Sequence, residues 1–193
     1  MVAYRALYGD SRLWCRPYDM FFEEINIFKW LGNVCISLFC VSCADCVFIN
    51  NTAAGRRGGA IDWFRTLNSL IENCLFVNNT ASSDGGALYT GDQGGNSVNL
   101  TIIYCQFYNN TAGKYGGAIA NQMANSYFFN NTFDGNKAMA GGGTILMKEG
   151  PADNCIVDHC YIFNSYSGDL VEKYGEGGGA ILFGRDGDVN LTI

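Results

Sequence analysis

The sequence predicts an all-β solenoid, a chain wound into about five stacked coils of short strands. Three observations lead there. A pair of motifs recurs five times between Cys46 and Ile181, residues within each copy alternate between two faces with the period of a strand, and residues 46–193 hold no sustained helical period.

The first motif reads Cys46-Val47-Phe48-Ile49-Asn50-Asn51-Thr52-Ala53. It returns as Cys74-Leu75-Phe76-Val77-Asn78-Asn79-Thr80-Ala81 and Cys105-Gln106-Phe107-Tyr108-Asn109-Asn110-Thr111-Ala112, with looser copies from Asn131 and Cys160. The second motif is Gly58-Gly59-Ala60-Ile61, echoed from Gly85, Gly116, Gly142 and Gly178. Phe48, Phe76, Phe107, Phe133 and Ile162 lie 28, 31, 26 and 29 residues apart, a period that means stacked units with insertions at loops.

In chain order, residues 1–43 stay unassigned, and residues 1–29 carry no copy of the repeat. Residues 30–44 are an uncharged, mostly apolar run with Ser42 and Ala44 mimicking a signal-peptidase site. The run is too short for a transmembrane helix and too deep for an ordinary signal peptide. An imperfect first coil or cap, an internal signal-like segment and an artefactual start are the readings open for it. Residues 44–193 form the solenoid. Each copy of the first motif follows an apolar run (67–71, 98–104, 127–129, 155–157), so each repeat holds about three strands punctuated by Gly, Asn, Asp and Ser. Alternation places Cys46, Phe48 and Asn50 on one face and Val47, Ile49 and Asn51 on the other. Stacking then sets the Phe positions in a column about 4.8 Å apart, each worth roughly 1.5 to 3 kcal/mol of burial. Asn50, Asn78 and Asn109 mark bends, because Asn tolerates left-handed backbone, and stacked amides bond from coil to coil. The Gly-Gly pairs supply positive φ or close approach. A phosphate-cradling loop needs glycine spacings ahead of a helix that do not occur here. Residues 188–193 match residues 96–102 and stop in mid-strand, so a longer parent protein is expected.

At 193 residues the chain fits one domain, and a net charge of −6 argues against nucleic acid while leaving sugars open. Asn-x-Thr sequons stand at Asn50, Asn78, Asn99, Asn109, Asn130 and Asn190, but the repeat itself writes Asn-Asn-Thr, so they read as turn chemistry before glycosylation. There are nine cysteines. Cys46, Cys74, Cys105 and Cys160 share one repeat position and read as a column of buried thiols in preference to disulfides. Cys40, Cys43 and Cys46 have metal-like spacing with no second thiol pair or His cluster nearby, so no metal and no cofactor is expected.

These motifs resemble the repeats of chlamydial polymorphic outer-membrane proteins, through Gly-Gly-Ala-Ile and Phe-x-x-Asn, here Phe48-Ile49-Asn50-Asn51 and its copies. The Asn-Asn-Thr-Ala wording resembles still more closely the large adhesin-like surface proteins of methanogenic archaea. The resemblance covers about residues 44–193. It implies a right-handed parallel β-helix of the pectate-lyase-like superfold, displayed at a cell surface.

Polysaccharide hydrolysis needs paired carboxylates, and lyase action needs acidic calcium ligands with a base. Asp62, Asp84, Asp92, Asp134, Asp153, Asp158, Asp169, Asp186 and Asp188 fall at scattered repeat positions. The single histidine, His159, reads as solvent-facing or locally bonded beside Asp158, and Asp186-Gly187-Asp188 reads as a turn. Trp63, Tyr89, Tyr115 and Tyr174 lie near variable segments and are the candidates for sugar stacking or protein contact. The expected function is a non-enzymatic, extracellular or cell-surface adhesin-like module, with no membrane span in the repeat region. Its partner would be a protein or polysaccharide of a host or neighbouring cell. The alternative is a carbohydrate-active β-helix, lyase or hydrolase, or a carbohydrate-binding module, on fold analogy.

Overall fold

The computed structural model describes residues 3–5, 13–15, 34–36, 42–63, 67–91, 98–147, 154–168 and 179–183. Every element among them is a strand. The first coil is Ser42–Ala44, Val47–Ile49, Thr52–Ala53 and Ile61–Trp63, and the second is Leu67–Glu72, Leu75–Val77, Thr80–Ala81 and Leu88–Gly91. Coils beginning at Val98, Tyr127 and Ile156 repeat the pattern, so each of four sheets receives one strand per coil. All these pairings are parallel and in register, with Phe76 between Phe48 and Phe107, and Phe133 between Phe107 and Ile162. The fold is therefore a parallel β-solenoid. One sheet continues toward the N-terminus through Val34–Ile36 and Leu13–Cys15, with Ala3–Arg5 added antiparallel. The rest of residues 1–41, Asp186 to Asp188 and the final residues lie outside the described residues.

Each coil has four strands where the sequence suggests about three, because the Asn-Asn pair divides the first motif into two. Asn50, Asn78 and Asn109 adopt φ of 57°, 54° and 53°. Left-handed backbone at that point turns the chain and breaks the alternation. This corrects the predicted faces. Asn50, Asn78 and Asn109 are exposed, whereas Asn51, Asn79, Asn110 and Asn136 are buried. The buried column carries the coil-to-coil amide bonds expected of the exposed one: Asn51 Nδ2 donates to Asn79 Oδ1 (2.8 Å), Asn79 Nδ2 to Asn110 Oδ1 (2.9 Å) and Asn110 Nδ2 to Asn136 Oδ1 (3.0 Å). The oxygens of Asn79, Asn110 and Asn136 also accept the backbone N–H of the preceding Asn in the column, and their amides also reach a carbonyl, as Asn110 Nδ2 does to Phe76 O (3.1 Å). Buried amides are tolerated because their donors and acceptors are satisfied.

Beside this polar column runs the apolar one. Phe48, Phe76, Phe107 and Phe133 stack with ring centroids 4.8, 4.6 and 4.9 Å apart, the spacing of the strands that carry them. The cysteine column is more than packing. The backbone N–H groups of Cys46 and Cys74 donate to the sulfurs of Cys74 and Cys105 (both 3.4 Å), and that of Cys105 donates to Asn131 Oδ1 (2.8 Å). Cysteine and asparagine interchange at this position because both accept that bond.

The Gly-Gly corner uses its two residues differently. Gly85 sits at φ 69°, while a Cβ on Gly86 would overlap the carbonyl oxygen of Gly117 in the next coil. Among the described residues no helix is long and apolar enough to cross a membrane.

Candidate functional site

Two of the predicted contact aromatics are enclosed. Trp63 is fully buried in the core, in register with Thr90, so its indole offers no face to a ligand. Tyr89 is also buried, on the other side of the same sheet. The Arg57 guanidinium lies 3.9 Å from its ring centroid and donates to its hydroxyl (2.6 Å), which in turn donates to Gln122 Oε1 (2.5 Å). Burial pushes the Tyr89 hydroxyl up to about 12, so it stays a donor. Burial likewise raises the Asp62 carboxyl, outweighing the opposing pull of Arg57 and Arg56. Tyr115 is half-buried and packs against the Tyr89 cluster. Tyr174 lies outside the described residues.

The exposed aromatic surface is elsewhere, at the corner just before the cysteine column. That corner is left-handed in every described coil: Asp45 (φ 54°), Asn73 (50°), Tyr104 (55°), Asn130 (55°) and His159 (49°). Asp, Asn and His are the residue types that suit this conformation, whereas the bulky Tyr104 ring there is an outlier that costs about 1 kcal/mol or more. Both rings flank one side chain. Tyr104 meets the Phe129 ring edge-on at 6.0 Å, and His159 meets it at 5.4 Å with an interplanar angle of 61°. Tyr127 stacks on Phe129 at 5.7 Å, and its hydroxyl points to Asp158 Oδ2 (3.5 Å). Asp158 Oδ1 holds His159 Nδ1 at 2.5 Å. Tyr104 is 48% exposed; on the two following sheets of the last coil Tyr161 (59%), Phe163 (50%) and Tyr166 (50%) are exposed as well.

The resulting face holds flat rings, a carboxylate and an imidazole. Among the described residues His159 bonds Asp158, which orients the imidazole ring. None of these corner residues was among the predicted contact positions. The signal available in the sequence is the residue before each Cys or Asn of the first motif, where Tyr104 and His159 replace Asp or Asn.

Residues 45–62, 73–91 and 104–122 each run from that corner, through the Phe and Asn columns and the Gly-Gly turn, to the next sheet. All three match the Chlamydia polymorphic membrane protein repeat. Each matched stretch is thus the last three of the four strands of one coil, and the sequence resemblance and the fold agree. The coils beginning at Tyr127 and Ile156 keep the same strand pairing outside the matched stretches. Residues 1–29 match a family described as a protein of unknown function (DUF1653). No curated protein and no solved structure matches the chain.

Proposed function

We propose that this chain is a non-enzymatic, surface-displayed β-solenoid module that makes adhesive contact through its aromatic corner. The observation that carries the reading is the pair Tyr104 and His159. Both hold left-handed backbone where the other coils use Asp or Asn, Tyr104 under strain, and both meet Phe129. Strain kept at one surface point is a mark of function in place of stability. The polymorphic membrane protein repeats support a location at the cell surface or outer membrane. The partner is a polysaccharide or protein of a host or neighbouring cell, its flat faces stacking on the rings and its polar groups bonding Asp158 and His159.

The test is binding of the labelled chain to intact cells. The variant Tyr104→Asn/His159→Asn restores the Asx column and should retain the fold while losing most of the binding. Binding equal to wild type would remove this corner from the function, and turnover of a polysaccharide by the purified chain would overturn the non-enzymatic reading.

A further inference from the structure

We propose that Cys43, Cys46 and Cys74 form a binding site for a soft divalent metal ion of the zinc class. Cys43 departs from its column. In register with it the other coils place Ile71, Ile102, Phe128 and Val157, all buried and apolar. Among the described coils, this one alone sets a thiol there, directly beside the column of Cys46 and Cys74.

The geometry suits a metal. The sulfurs of Cys43 and Cys74 are 3.8 Å apart, and all three lie within 4.8 Å of one another. Metal–sulfur bonds of about 2.3 Å at tetrahedral angles separate the sulfurs by about 3.8 Å. The Cys43–Cys74 pair already has that separation, and Cys46 needs to close by no more than about 1 Å to match it. The frame is firm, since Cys43 pairs with Ile71 and the Leu75 N–H donates to Cys46 O (2.9 Å). The Cys46 N–H already points at the Cys74 sulfur (3.4 Å), a donor of the kind that supports a metal-bound thiolate. Cys43 and Cys74 are buried while Cys46 is half-buried, so an ion would enter on the Cys46 side and take water as its fourth ligand.

Thiolate ligands select zinc-like ions over calcium or magnesium. On binding, each thiol releases its proton to solvent, and three thiolates around a divalent ion leave one net negative charge. No electron is transferred. The ion would tie the first coil to the second.

The experiment titrates the reduced, full chain with Co(II) under anaerobic conditions, then with Zn(II) in competition. A sulfur-to-cobalt charge-transfer band saturating at one equivalent, lost on adding Zn(II), is expected, together with a Tm that rises with Zn(II). Cys43→Val gives the column an ordinary apolar residue and should abolish the band with an unchanged circular dichroism spectrum. Cys105→Ser, outside the cluster, should keep it. If Cys43→Val does not fold, Cys46→Ser at the half-buried position decides in the same assay. Absence of the band, its survival in the folded cluster variant, or recovery of a Cys43–Cys74 disulfide from freshly isolated protein would overturn the proposal.

Discussion

Replacing Asn110 by alanine should be among the most damaging single truncations in the solenoid, although it removes no apolar surface. The Asn110 oxygen accepts from the backbone N–H and the amide of Asn79, both at 2.9 Å, and its own amide serves Phe76 O and Asn136 Oδ1. Asn136 Oδ1 keeps the Asn110 backbone N–H (3.0 Å), so the main loss falls on two donors of a fully buried Asn79. A buried donor left without a partner costs about 1 to 3 kcal/mol, which gives a destabilisation of about 2 to 6 kcal/mol. That is comparable with the roughly 5 to 15 kcal/mol that holds a typical domain. The comparison variant is Asn109→Gly, one residue earlier, where the side chain is exposed and glycine accepts the left-handed turn; a change within about 0.5 kcal/mol is expected. Equilibrium unfolding in urea, followed by circular dichroism, reads both. If Asn110→Ala falls within about 1 kcal/mol of Asn109→Gly, the buried amide column does not carry the weight given to it here.

Gly86→Ala should cost at least about 3 kcal/mol, the upper end of overpacking, because its methyl meets backbone of the next coil at Gly117 and at Thr111 N (2.6 Å); a Tm near wild type would show that the coils can separate there. Asp62→Asn should stabilise the protein at neutral pH and not below the ordinary carboxylate range. A carboxyl raised by burial is penalised only once pH climbs past its unfolded value of 3.8, so a stability gap between variant and wild type that stays constant down to pH 3 would contradict the assignment. Tyr104→Asn trades relief of about 1 kcal/mol of backbone strain against loss of an aromatic contact worth about 0.5 to 1.5 kcal/mol. Urea unfolding should therefore shift by less than about 1 kcal/mol in either direction, and a larger loss would mean the ring is structural.

The solenoid was legible because repetition multiplies a weak signal: one Phe-x-x-Asn stretch is ambiguous, but Phe48, Phe76, Phe107 and Phe133 at near-constant spacing require stacking. Strict alternation failed at Asn50, since a single left-handed residue reverses which side chains face inward and passes burial to Asn51. The exchange of Asn131 for cysteine looked like a loose copy, and it became intelligible once the Cys105 N–H was seen to need an acceptor. Trp63 and Tyr89 looked like surface aromatics because they sit beside variable loops. Both belong to the Gly-Gly strand, whose inward face packs the core and whose outer face is covered at Tyr89. The aromatic corner was written in the sequence as two departures from an Asx column, and a column shows its exceptions only after the corner itself has been located. The Cys43–Cys46 spacing was visible as metal-like, and what the sequence could not supply was the third thiol, Cys74, which the next coil brings to Cys43.

The most direct test of parallel, like-on-like stacking is a set of nuclear Overhauser contacts in solution. The stacking predicts contacts between the Phe76 and Phe107 rings, 4.6 Å apart, and between the register partners Thr80 and Thr111 and then Thr111 and Lys137, in a parallel-strand pattern. Absence of the Phe76–Phe107 contact, or an antiparallel pattern joining those segments, would contradict it.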